Sequence, residues 1–194
     1  MGKFIIGIVV GVILVAVAVF VYFTTGMAPV ATSSQAMPFE KMLAQKALEA
    51  RVEKEMPKTV PIPANEETFA AGAKVYDGNC AVCHGLPDQP ATPISKGMFP
   101  KPPHLFMGKG VTDDPPGETY WKVKNGIRLT GMPAFGPSLS DTQIWQVSLL
   151  LANADKIGPN VKQLLVPEVL SVGGSEGVSN PPANAPPPKS QPKK

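Results

Sequence analysis

This 194-residue chain contains two cysteines and two histidines, and three of those four residues stand in one run of five, Cys80-Ala81-Val82-Cys83-His84. That run constrains the fold more than any other feature. Two thiols three positions apart, followed at once by an imidazole, form the attachment signature of c-type haem. Each thiol can add across one vinyl group of the porphyrin, and His84 then sits under the ring within reach of the iron. Other uses of the same residues fit less well. A structural zinc site takes four protein ligands, and the second histidine, His104, lies alone in a proline-rich loop. A thioredoxin-type pair belongs to a strand-helix unit, and the flanks show no such alternation. A disulfide between Cys80 and Cys83 would close a very small loop and remove little unfolded-chain entropy.

The N-terminus carries a second strong signal. Phe4 to Phe23 reads FIIGIVVGVILVAVAVFVYF, twenty residues without a charge. At the helical rise these can span a hydrocarbon core of about 30 Å. Lys3 precedes the run and favours a cytoplasmic N-terminus. Ala16-Val17-Ala18 resembles a signal-peptide cleavage site, but apolar residues continue through Phe23, longer than the apolar region of a signal peptide. The segment is therefore read as an uncleaved signal anchor. Either way the rest of the chain is delivered across the membrane, where haem is attached covalently.

The 23 prolines and 18 glycines leave much irregular backbone between helices. The chain's formal charge is +3, but Glu66 to Leu170 holds nine basic and ten acidic side chains, a net of −1. No basic stripe suited to nucleic acid is present.

Four segments are expected: residues 1–24 as the anchor, 25–64 as a linker with a spacer helix, 65–157 as the folded domain, and 158–194 as a largely disordered extension. In the linker, Phe39 to Glu55 is rich in helix formers, with Phe39, Met42, Leu43 and Lys46 on one face. That is a solvated spacer or a docking element for a partner subunit. Three prolines between Pro57 and Pro63 end it. Asn65 suits an N-cap, and Phe69, Gly72, Ala73 and Tyr76 recur at helical spacing. Gly72 suggests a close helix crossing. A further helix is expected from Pro116 to Asn125, with Gly126 at its left-handed end. Ser140 and Gln143 have capping-box spacing at the start of the last one. Beyond Ser171 the tail has too little apolar surface to offset its ordering entropy.

These pieces together resemble the class I cytochromes c of the bacterial membrane-anchored kind. The resemblance covers Glu66 to Asn153 and rests on order: the Gly72/Tyr76 helix, Cys80-Ala81-Val82-Cys83-His84-Gly85, Pro103-His104-Leu105, Tyr120-Trp121, Asn125-Gly126-Ile127-Arg128, Gly131-Met132-Pro133-Ala134-Phe135, then the Ser140 helix. It implies an all-α fold around one covalent haem, with the first and last domain helices crossing near Gly72. Many members carry a tyrosine late in the last helix, where this chain has Leu149-Leu150. The resemblance also implies that the Pro103 carbonyl accepts a hydrogen bond from His84. It places an aromatic residue and an arginine near the haem or its propionates, for which Tyr120, Trp121 and Arg128 are candidates. Core packing is the competing role for Trp121, and plain surface charge for Arg128.

His84 is the expected proximal ligand. Met98, Met107 and Met132 follow the motif, and Met132 is preferred for the distal position because Gly131 and Pro133 constrain the backbone around it. Met98 and Met107 lie soon after the motif, where a return to the opposite haem face is less plausible. His104 could form a bis-histidine site instead. His/Met ligation raises the reduction potential and fills both axial positions, which favours one-electron transfer over catalysis on a substrate. The leading expectation is an electron carrier with one haem c, held by residues 4–23 in a bacterial inner membrane, with its haem domain in the periplasm between membrane redox complexes. A fixed subunit of a larger respiratory or dehydrogenase complex is the alternative, and a haem sensor or peroxidase-like enzyme a third.

Overall fold

The computed structural model describes residues 1–166, so the tail expected to be disordered from Ser171 lies outside the described residues. Among those described, eight helices follow in order: α1 (Gly2–Thr24), α2 (Glu40–Glu55), α3 (Glu66–Asn79), α4 (Ala81–His84), α5 (Pro93–Lys96), α6 (Pro116–Asn125), α7 (Asp141–Ala152) and α8 (Pro159–Gln163). No strand occurs among the described residues. Helix α1 is long and apolar enough to cross a membrane and buries none of its residues against the rest of the protein.

The domain is organised by the crossing of α3 and α7, with α6 packed on α7. Helix α3 starts where its cap dictates: the Asn65 side chain accepts the Thr68 N–H at 2.9 Å, and Glu66 and Glu67 sit at the positive end of the helix dipole. Helix α7 starts with a complete capping box, Ser140 and Gln143 exchanging hydrogen bonds. Gly72 lies at the crossing. A Cβ there would stand 2.3 Å from the Gln146 carbonyl oxygen and 3.1 Å from the Leu150 Cβ. The missing side chain lets the two backbones approach, and fully buried Leu150 occupies the part of α7 where the resemblance led to an expected tyrosine. Tyr120 of α6 stacks on Trp145 of α7, with ring centroids 4.2 Å apart.

Two expectations need correction. The core does not stop at residue 157. Val161 and Leu165 are fully buried members of it, and Asn160 donates to the Glu66 carboxylate at 3.0 Å, tying α8 to the start of α3. Ile157, Val161 and Leu165 recur every fourth residue, a helical pattern that the expected boundary at 157 cut through, and they join the core beside α3. Helix α2 is also not a free spacer: most of it is solvated, but its C-terminal part is docked. Its expected apolar face is the exposed one, with Phe39, Met42 and Leu43 in solvent. The other side packs on α6, burying Val52, and Trp121 Nε1 donates to Glu55 at 3.2 Å.

Candidate haem site

The attachment motif is one turn of helix. Cys80 both ends α3 and starts α4, and the His84 N–H donates to the Cys80 carbonyl at 2.9 Å. Positions i, i+3 and i+4 share a helix face, so Cys80, Cys83 and His84 are presented together. Gly85 then ends the turn at φ +76°, a left-handed backbone that glycine adopts without strain. Its carbonyl accepts the buried Tyr76 hydroxyl at 2.6 Å, locking α3 to the motif. Burial pushes the Tyr76 hydroxyl well above its ordinary range, so it stays a donor.

All three motif residues line one apolar cleft with about 1100 Å³ of atom-free space, its open mouth included. Burial, and secondarily the neighbouring Cys83, pushes the Cys80 thiol up to about 12. That is opposite to the depressed thiol of a redox-active C-x-x-C pair. His84 is shifted below its usual value by burial, against the opposing pull of the Pro103 carbonyl. Its Nδ1–H donates to that carbonyl at 2.8 Å. The imidazole is therefore neutral, with its orientation held and the Nε2 lone pair left for a metal.

Met132 lines the same cleft. The loop that carries it is tied down on both sides. The Ile127 N–H donates to the Met132 carbonyl at 3.2 Å, and the Met132 N–H donates to Thr130 Oγ1 at 3.1 Å. The Phe135 and Gly136 N–H groups donate back to Val123 and Lys124 at the end of α6. Gly126 makes this fold-back possible: a Cβ there would stand 2.6 Å from the Ala134 nitrogen.

The remaining predicted residues go elsewhere. Tyr120 does not line the cleft; its hydroxyl donates to Asp141 at 2.7 Å while its ring stacks on Trp145. Trp121 faces α2 instead, and Arg128 is exposed outside the lining. Tyr120 and Trp121 thus lie on other faces of α6 than the one turned to the cleft. His104 is engaged at both nitrogens: Nδ1 accepts the Phe106 N–H at 3.4 Å and Nε2 donates to Gln89 at 3.1 Å. It packs over Gly85 and not into the cleft.

Several lining residues had no sequence signal. Thr119, Lys122 and Val123 come from α6 and Leu48 from α2. Met98 also enters the cleft, its methyl occupying the space that a Gly131 Cβ would take. The loop after the motif does therefore return to the neighbourhood of Met132, contrary to expectation. Only the spacing of Thr119 and Val123, four apart on a helix, could have marked a shared face.

On donor chemistry the cleft fits a haem c. It offers two thiols for thioether bonds, an oriented imidazole and the thioethers of Met98 and Met132 for iron, and walls that include Leu105, Val111, Ile127 and Phe135. The family described as cytochrome c oxidase, cbb3-type, subunit III matches residues 67–149. A solved structure, the reducing HAO-like protein complex of Kuenenia stuttgartiensis, contains a chain 26% identical to this one with a TM-score of 0.43. The likeness covers 53% of this chain and 52% of that one, so about half of that chain's length is matched. No curated protein matches the chain. Residues 67–149 are thus a class I c-type cytochrome domain, an electron-transfer module of the kind that carries covalent haem c.

Proposed function

We propose that this chain carries one haem c, bound through Cys80 and Cys83, with His84 and Met132 as axial ligands, and passes single electrons between redox partners at a membrane. One observation supports this above all: Cys80, Cys83, His84 and Met132 line a single apolar cleft, and the Pro103 carbonyl already orients the imidazole. The bound haem would supply a one-electron iron couple. The protein's part is to fix the ligands and keep water away. Pro103 holds the His84 ring, while Thr130 and Ile127 hold the backbone that presents Met132. With both axial positions filled by the chain, the site favours electron transfer over chemistry on a substrate. Lys101 lines the cleft, where propionates would need cations, whereas Lys122, also in the lining, is paired with Glu118.

Helix α1 would hold the domain at the periplasmic face of a bacterial inner membrane. Fifteen residues, 25–39, separate α1 from α2. Fully extended they reach about 50 Å at most, a shorter leash than a free linker of 25–64 would give. That short leash and the family's description as an oxidase subunit favour a second reading, a fixed cytochrome subunit of a larger complex.

The test is spectroscopy on the purified full chain. A reversible one-electron couple and a far-red thioether-to-iron absorption are expected, and Met132→Ala removes that absorption while the haem stays attached. A colourless protein from cells competent in cytochrome maturation would refute the reading. Native electrophoresis after mild extraction separates a lone carrier from a complex subunit.

A further inference from the structure

We propose that α2 is a wall of the haem cleft, with Leu48 covering the cofactor's side, and not a stalk between membrane and domain. The proposal rests on the haem-binding reading above and concerns what shields that haem. Leu48 is the residue of α2 that lines the cleft. Its placement is held from both ends of the helix. At the C-terminal end Val52 is buried, Glu55 accepts the Trp121 indole N–H at 3.2 Å, and Pro57 lies against α6. The Pro57 contact is tight: a Cβ on Gly117 would overlap the Pro57 carbonyl oxygen, standing 2.0 Å from it. Only a glycine at the first turn of α6 lets the linker seat there. At the N-terminal end the Lys41 ammonium stands 5.5 Å from the centre of the Phe99 ring, in the loop that sends Met98 and Pro100 into the cleft. Lys41, Leu48, Val52 and Glu55 recur at helical spacing on the face turned to the domain, with Val52 buried, Leu48 half-buried and the two charged residues exposed at its ends. The exposed Phe39, Met42 and Leu43 lie on another.

The chemistry follows from burial. An apolar side chain over the cleft excludes water and lowers the local dielectric. That disfavours the oxidised iron, which carries one more positive charge than the reduced iron, and so raises the potential. Lifting α2 admits water and lowers it. A segment outside the family-matched residues 67–149 thereby becomes part of the redox site.

The experiment uses the full chain in detergent and reads two quantities, tryptic cleavage after Arg51 and Lys54 and the midpoint potential. In the wild type α2 is protected. Val52→Ala with Trp121→Phe loosens it, removing two buried methyl groups and one hydrogen bond, and cleavage rises roughly tenfold or more. The potential falls in the same variant, with haem content per chain unchanged. Leu48→Ala keeps α2 protected yet lowers the potential by itself. Immediate cleavage of wild-type α2 would overturn the proposal. So would an unchanged potential once α2 is loosened, or in Leu48→Ala. Loss of haem from the wild type would instead overturn the haem-binding reading beneath it, and the pyridine haemochrome assay tells the two failures apart.

Discussion

Gly72→Ala tests the crossing on which the domain is built. Inside a helix, alanine is favoured over glycine by about 1 kcal/mol. The same change puts a methyl group 2.3 Å from the Gln146 carbonyl oxygen, where real contacts stay beyond 3.0 Å. The obstruction is helix backbone, which cannot rotate aside, so α7 has to shift by about 0.7 Å against a core in which Ile144, Val147 and Leu150 are fully buried. Overpacking of this kind costs about 1–3 kcal/mol. With the propensity gain subtracted, the upper half of that range leaves a net loss of about 1–2 kcal/mol, or about 5–15 °C in a domain of this size. Gly78 supplies the control. It lies in the same helix, and a Cβ there would meet nothing within 4 Å, so Gly78→Ala should gain a few tenths to about 1 kcal/mol. Guanidinium unfolding followed by the fluorescence of Trp121 and Trp145 reads the domain without α1. If Gly72→Ala proves as stable as Gly78→Ala, the close crossing of α3 and α7 is wrong.

Asn65→Ala removes the cap of α3 and should cost about 1 kcal/mol, measured by the same unfolding curves. Asp141 is held below the usual carboxylate range by hydrogen bonds from Lys124 and then Tyr120. A depressed folded value means the stabilisation is present above the unfolded value and is lost as pH falls through the folded one. Asp141→Asn should therefore lower stability at neutral pH and flatten the decline below about pH 4; an unchanged acid limb would show that the pair is idle. Gly117→Ala should unseat the linker from α6 and raise tryptic cleavage after Arg51 and Lys54, with the haem still attached.

Much of this protein is legible wherever the signal is local. The turn of helix at Cys80 to His84, the caps at Asn65 and Ser140, the limits of α6 and the apolar run of α1 each depend on residues within a few positions of one another. Gly72 also announced its crossing, because a glycine inside a helix needs a reason. The Pro103 partner of His84 was legible only through the resemblance, since nineteen residues separate donor and acceptor.

Where a side chain points across the domain was decided by tertiary structure alone. Tyr120 and Trp121 are adjacent on α6, yet one stacks on α7 and the other bonds to α2, because successive helical positions are rotated by about 100°. Helix α2 turned Val52 and Leu48 inward while Phe39, Met42 and Leu43 stayed in solvent, a choice made by the glycine at 117 and the shape of α6 and invisible in its own composition. Met98 reached the cleft because Gly131 leaves room for its methyl. The chain's order along its length thus determined the cofactor chemistry and the helices, whereas close packing determined which thioethers, cations and aliphatic groups surround the site, since those contacts depend on distances that no local pattern encodes.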